Sequence, residues 1–424
     1  MSKLISSTLE QVCLHEKGAI ISGPFGSNIS SKFFVESGIP VIRGNNLSLN
    51  YDKFFDNHFV FVTPEKADEL NCYAYRNDLI FTAAGTIGQV GVIPENSRYT
   101  KYVISNKQIR ARIDTKKIDL LYAYYWFSSP WIRAFLIRNN KGSTVPLLTL
   151  SEIKDLPIVF PESIDEQKAI ISVIDNITKK IETNKKINDY LEEMAKTIYN
   201  YWFVQFDFPD ENGNPYKSSG GKMDFIKNFG LAPSNWKIGN LYDIAEFING
   251  LACQKYRPTE NEASLPVIKI KEMHDGISSD TERVKSSIPE NNIVRTGDIL
   301  FSWSASLEVQ RWTGITGGLN QHIFKVIPKE KYSSSYVYHQ LKSYVIKFIQ
   351  MAEARKTTMG HITRDHLKQS VIILPPENII RDFSNQVDNI HAEICRINKE
   401  CQKLSQLRDW ILPMLMNSQA TIED

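Results

Sequence analysis

The sequence predicts an α+β fold: two α/β blocks in a pseudo-twofold arrangement, separated by two long antiparallel coiled-coil helices. Three features carry that prediction: a twofold long-period repeat, strand-like runs within each repeat, and a heptad seam closing each one. Pro40-Val41-Ile42-Arg43 returns as Pro266-Val267-Ile268-Lys269, and Asn77-Asp78-Leu79-Ile80-Phe81 returns as Gly297-Asp298-Ile299-Leu300-Phe301. At a constant offset of 214, Asn106, Tyr122, Tyr124, Thr144, Thr149 and Pro161 meet Asn320, Tyr336, Tyr338, Thr358, Thr363 and Pro375.

In the first block, short β-type runs at 59–62, 79–81, 90–93 and 109–113 alternate with Gly and Asn punctuation. A helical segment over 120–138 follows. Thr149-Leu150-Ser151-Glu152-Ile153 then opens a short helix. Pro157–Pro161 reads as a closing strand. The second block repeats the order, with strands over 267–271, 298–303 and 323–327 and a helix over 335–353.

The two closing segments carry the sharpest pattern. Phe383, Val387, Ile390, Ile394, Ile397, Cys401, Leu404, Arg408, Ile411 and Leu415 alternate steps of four and three, a heptad seam with one polar break. Ile170, Ile174, Ile177, Ile181, Asn184, Asn188, Leu191, Met194 and Ile198 follow nearly the same pattern with one slipped step, and the asparagines can pin register. Forty residues make a helix about 60 Å long, more than one small domain needs. If a twofold axis relates the halves, the paired helices run antiparallel. The division is 1–160, first block; 161–204, central helix; 205–235, a Pro/Gly/Ser/Asn-rich linker; 236–376, second block; 377–416, distal helix; 417–424, tail.

The chain has 424 residues and a net charge of only +2. Each block holds 18 basic against 14 acidic residues, leaving 14 against 20 for the remainder. Two mildly basic blocks alternating with acidic helical parts suit polyanion contact at the blocks and protein contact elsewhere. With 42% hydrophobic residues, the chain is not a disordered one. No apolar run reaches the roughly 18–20 residues of a membrane span, and the start lacks the apolar stretch of a secretory signal. Five scattered cysteines without metal spacing fit a reducing cytoplasm, the expected location.

Motifs for catalysis are missing. Ser219-Gly220-Gly221-Lys222-Met223 lacks the leading Gly and the closing Ser or Thr of a phosphate loop. Neither H-E-x-x-H nor G-x-S-x-G occurs, so neither catalytic residues nor a metal site are expected. The blocks instead carry side chains that read DNA: Arg and Lys for guanine or phosphate, Asn for adenine, Ser and Thr for either. The candidates are Arg43, Asn45 and Asn46, with Lys269 and Lys271 in the sister position. Lys141, Ser143 and Thr144 are matched by Arg355, Lys356, Thr357 and Thr358, with His361 and Arg364 beyond.

Together these segments resemble the specificity subunit of type I restriction–modification enzymes. The resemblance rests on Gly38-Ile39-Pro40-Val41-Ile42-Arg43-Gly44-Asn45-Asn46, Gly142-Ser143-Thr144, Thr149–Ile158 and Tyr201-Trp202-Phe203-Val204-Gln205-Phe206-Asp207-Phe208-Pro209. Gly297–Ser304, Leu319–Pro328 and Lys356–Thr363 complete it. It implies that each block is a target recognition domain reading one half of a bipartite, asymmetric site in double-stranded DNA. It implies that the helices set the spacing and dock two methyltransferase subunits, and through them two restriction subunits. The chain itself is then non-catalytic and needs no cofactor; S-adenosylmethionine, ATP and magnesium belong to the partners of a site-specific adenine methyltransferase and ATP-dependent endonuclease. The competing reading is a coiled-coil assembly scaffold without its own sequence-specific readout.

Overall fold

A computed structural model describes residues 3–139, 147–227, 229–278, 280–304, 306–354, 362 and 364–417. The chain divides into two compact units, Met1–Lys180 with Leu404–Asp424, and Ile181–Lys403.

The first unit holds two four-stranded sheets. One runs Ile20–Ser22, Gln108–Ala111, Leu79–Thr82, Val90–Val92, antiparallel throughout. The other runs Val60–Val62, Ile39–Ile42, Lys101–Ile104, Tyr73–Tyr75, and its central pair is parallel. Leu4–Thr8 and Pro157–Pro161 form a separate antiparallel pair. The strand over 79–82 is buried throughout, which explains why Leu79-Ile80-Phe81 reads as a short apolar run without alternation; the strand over 108–111 is buried as well, with Arg110 donating to Gly18 O at 2.8 Å. The helical segment expected over 120–138 is two helices, Leu120–Phe127 and Pro130–Asn139, because the residue before a proline is driven out of helical geometry. The short helix expected at Thr149 is Leu150–Lys154, and Thr149 and Glu152 cap each other's backbone N–H at 3.2 and 2.8 Å.

The second unit repeats this plan strand for strand. Ala245–Asn249, Ile323–Pro328, Ile299–Ser302 and Glu308–Arg311 make the antiparallel sheet. Arg283–Lys285, Ser264–Ile268, Gly317–Leu319 and Ile293–Val294 make the mixed one, with its parallel pair in the same place. Lys237–Gly239 pairs with Ile372–Leu374. The strand expected over 267–271 ends instead at Ile268, and a short helix, Ile270–Asp275, takes over. The buried Glu272 carboxylate accepts the Lys269 backbone N–H at 3.2 Å and turns the chain out of the sheet. The segment expected as a linker is folded too. Phe206, Phe208 and Trp236 are buried together, and Met223–Ile226 pairs with Gly230–Pro233 as a hairpin.

Both repeated Asp motifs are structural. Asp78, 2% exposed, accepts the Tyr75 N–H at 2.9 Å and pairs with Arg112 at 2.9 Å. Asp298 accepts the Arg295 N–H at 2.7 Å and pairs with Lys325 at 2.8 Å. The residue before each takes a left-handed turn: Asn77 at φ 68° and Gly297 at φ 97°, the two residue types that tolerate it.

The long helices are Ile164–Phe203 and Glu377–Met416. In the second unit Asn188 Nδ2 donates to Asn398 Oδ1 at 2.8 Å, while Tyr199 and Trp202 pack on Phe383. One helix rises as the other descends, so the pairing is antiparallel, and an asparagine on the first helix meets one on the second. In the first unit Ile170, Ile171 and Ile174 share a core with Leu412, Leu415 and Met416. Met194, expected in the seam, is 46% exposed; Ala195, at 0%, takes its place and Tyr199 and Trp202 continue the register.

Candidate nucleic-acid interface

At one end of each block, the loops that follow the central strands are stitched into a single surface, identically in both halves. In the first block the Ser105 N–H donates to Ile42 O at 2.9 Å, joining the ends of the parallel pair. Ala83 N–H donates to Lys107 O and Leu148 N–H to Ala83 O, both at 2.7 Å. In the second block Asn320 N–H donates to Ile268 O at 3.1 Å, Trp303 N–H to His322 O at 3.3 Å, and Ile362 N–H to Trp303 O at 3.1 Å. Three bonds between loops are thus preserved while the side chains around them change. A scaffold that holds exposed loop side chains in place while letting their identities vary suits recognition.

Glycine seals the seam in both. A methyl group on Gly23 would stand 1.9 Å from the Ser105 carbonyl oxygen, and one on Gly250 would stand 1.9 Å from that of Asn320. Backbone cannot move aside as a side-chain tip can, so Gly23→Ala and Gly250→Ala must peel the strand before the loop from its neighbour. Each is expected to cost about 1–3 kcal/mol, towards the upper end. A fall in the urea midpoint at constant slope checks this.

The charge on the first of these surfaces is one-sided. Residues 23–33, 43–47, 83–89 and 105–108 include Lys32, Arg43 and Lys107 and not one Asp or Glu. Residues 250–257, 302–307 and 320–322 include Lys255 and Arg257 without a carboxylate, whereas 269–275, the counterpart of the loop at 43–47, carries Lys269 and Lys271 together with the buried Glu272 and the exposed Asp275. In a chain almost balanced in charge overall, the first surface, cleared of carboxylates, favours a polyanion, and the second leans the same way through Lys255, Arg257 and Lys271.

Of the sequence-derived candidates, Asn45 is exposed on this surface, its Nδ2 reaching His58 O at 3.4 Å. Arg43 is half-buried and its Nε has no hydrogen-bond partner in the protein. Asn46 has another task. It is fully buried, its Nδ2 donates to Phe55 O and Asn57 O at 3.0 and 2.9 Å, and its Oδ1 accepts the Arg43 N–H at 3.0 Å. Its amide shapes the loop and has no donor left for a base. Lys271 is exposed at the start of the Ile270–Asp275 helix. Lys269 pairs with Glu282 at 2.8 Å and holds that carboxyl below its usual range. Arg364 is exposed at the start of the Arg364–Lys368 helix. Lys141, Ser143, Thr144, Arg355, Lys356, Thr357, Thr358 and His361 lie outside the described residues.

Among the described residues, the arrangements that carry catalytic side-chain types are not set up for catalysis. Ser335, His391 and Asp388 meet in the second unit, but the Ser335 hydroxyl donates to Asp388 and accepts from His391 Nδ1 at 2.8 Å. A base poised to take a serine proton has the opposite polarity, and Ser335 is 0% exposed. Burial pushes the Cys13 thiol up to about 12 and that of Cys72 to about 11, so neither is a ready nucleophile. Among the described residues no three His, Cys, Asp or Glu side chains stand together as metal ligands would.

A family model described as the type I restriction modification DNA specificity domain matches residues 7–193 and again residues 233–400, once over each repeat. The chain belongs to this family. The chain is 22% identical over 364 residues to the type I restriction enzyme MjaIX specificity subunit of Methanocaldococcus jannaschii, covering 82% of this chain and 79% of that one. It is likewise 22% identical over 337 residues to the HindI specificity subunit of Haemophilus influenzae, covering 67% and 73%. The crystal structure of a type I restriction–modification S subunit from M. genitalium shares the fold, with a TM-score of 0.52 at 14% identity over 98% of this chain and 96% of that one. In this specificity-family chain the two family matches contain the two stitched loop surfaces.

Sequence reasoning missed Asn28, Asn106 and Lys107, all exposed on the first surface. Loop side chains have no periodicity. The signal that could have found them is the pairing of Asn106-Lys107-Gln108-Ile109 with Asn320-Gln321-His322-Ile323, since both tetrads lead into central strands.

Proposed function

We propose that this chain is the DNA-reading subunit of a type I restriction–modification complex, with each block reading one half of a bipartite, asymmetric site. The observation that carries this reading is the duplicated loop surface, held by the same three backbone bonds in both halves. Two such surfaces with different side chains on one scaffold suit two different half-sites. The forty-residue helices set the gap between the half-sites. The chain is not itself an enzyme; methyltransferase and restriction subunits supply the chemistry with S-adenosylmethionine, ATP and magnesium.

The docking face for the two methyltransferase subunits is a second apolar stripe on the first long helix. Ile187, Tyr190, Met194 and Tyr201 are 39%, 77%, 46% and 38% exposed. Their spacing of three, four and seven is a heptad that runs beside the buried seam, a pattern that accepts a further helix. Thr197 and Tyr201 also line a cleft of about 710 Å³ at the end of this helix. The two restriction subunits join through the methyltransferases. No helix among the described residues is long and apolar enough to cross a membrane, and the cytoplasm is the proposed location.

Exchanging residues 1–160 for those of another family member, followed by methylome sequencing of a host carrying the complex, tests the reading. The expected result is a modified motif altered in one half and unchanged in the other half and in spacing. Modification without sequence preference would favour a scaffold.

A further inference from the structure

Phe25 is the most exposed large hydrophobic side chain among the described residues, at 84%. It does not stand on a loose strand end. Gly23 N–H donates to Gln108 O at 2.8 Å on one side, and Asn28 N–H donates to Phe25 O at 2.9 Å on the other. Pro24 stiffens the approach. The turn Gly26–Ile29 follows, anchored by Ile29, which is 5% exposed in the core. Gly26 is held beside Asn106, where an added methyl group would stand 3.0 Å from Nδ2. The backbone therefore projects the phenyl ring into solvent from a fixed base, so an apolar partner has to come from outside.

The neighbours specify that partner. Asn28, Asn45, Asn106 and Lys107 are exposed on the same stitched surface, which contains no carboxylate. Asparagine amides match adenine in the major groove, and the apolar group presented beside an adenine there is the 5-methyl of its paired thymine. Among the described residues the second block has no counterpart at this position: Leu251 and Ala252, which follow the equivalent Gly250, are half-buried.

The geometry points to Phe25 as a specificity-determining residue that packs on a thymine 5-methyl group in the half-site read by the first block. This rests on the DNA-reading function proposed above. The contact belongs to one half-site only, so the two halves of the recognised motif differ in their need for a thymine methyl.

The test uses the full chain with its methyltransferase subunits and duplexes carrying the modified motif. Each thymine of the first half-site is replaced in turn by deoxyuridine, which pairs alike and lacks only the methyl. At one position the wild-type methylation rate is expected to fall about fourfold, the value of one buried methyl group. Phe25→Ala is expected to methylate the parent duplex more slowly by a similar factor and to ignore the substitution at that position. Both proteins respond equally to substitutions in the second half-site, and their thermal midpoints agree because the ring is exposed. The inference is overturned if no first-half thymine is sensitive, if that half contains no thymine, or if Phe25→Ala keeps the wild-type sensitivity. Methylation indifferent to sequence in both proteins would instead overturn the DNA-reading function, and Phe25 with it.

Discussion

Phe383→Ala is expected to destabilise the second unit by about 3–5 kcal/mol, the range for truncating a buried phenylalanine. The side chain is 0% exposed on the distal helix. Its ring lies 5.0 Å from Phe203, 5.9 Å from Trp202 and 6.1 Å from Tyr199, all on the central helix, and 6.2 Å from His339 on the helix Ser334–Ala354. Three helices therefore meet at one ring, and alanine leaves a void none of them can fill alone. Hydrogen exchange should accelerate over 336–348 and 195–203. Trp410→Ala on the same helix is the control. That ring is 63% exposed, so its loss should change stability by no more than about 0.5 kcal/mol. If both substitutions cost the same, the ring cluster does not hold the helices.

Phe383 is also where the sequence was easiest to read. Every heptad position from Phe383 to Leu415 is buried or half-buried, because large apolar groups at steps of four and three leave little alternative. The first helix was harder. Met194 is more hydrophobic than Ala195, so a pattern of apolar size selects the methionine, yet close helix approach selects the smaller residue. Lys269 and Lys271 read as strand because Val267–Lys271 alternates, and the capping by Glu272 that ends the strand is a tertiary fact. Asn46 and Asn45 are neighbours of one type; one is a buried clamp and the other faces solvent, and only the fold separates them. Asp78 and Asp298 show the limit of the repeat as a guide to function. They recur because each neutralises cations on a central strand, Arg110 beside Arg112 or Lys325, and recurrence in a duplicated chain preserves the scaffold as readily as the site.

Lowering the pH from 7 to 5 is expected to destabilise the second unit by roughly 4 kcal/mol through two buried histidines, at up to about 1.4 kcal/mol per pH unit for each. His339 and His391 are 2% and 4% exposed, with their Nε2 atoms 3.2 Å apart. Burial lowers their values to about 3 and about 2, helped by the Arg311 and Lys342 cations. The proton positions follow from Ser335. Its one hydrogen goes to Asp388, so it accepts from His391 Nδ1–H and from Arg311 Nη2 at 3.1 Å. His391 Nε2 is then the acceptor for His339 Nε2–H. Protonating His391 sets two N–H groups face to face and adds a cation beside Arg311; Glu192 is already engaged by Lys342 at 3.0 Å. Both folded values lie below the ordinary 6.5, so the unfolded chain binds more protons in that window. Stability is therefore full above about 6.5 and declines as pH falls towards 3. At pH 5 both rings are still neutral in the folded protein, so the cost there depends on the unfolded value alone. The first unit lacks this liability: the residue matching His339 is Tyr125, whose hydroxyl donates to Asp175 at 3.1 Å, and His15 and His58 are exposed. Burial raises the Asp175 carboxyl, but Lys179 and Lys53 outweigh it and hold it below its usual range, so its contribution persists to lower pH. Hydrogen exchange at pH 5 should open 334–350 well before 120–127. His339→Gln combined with His391→Gln should flatten the acid limb, and a limb as steep as that of the wild type would show that other groups set it.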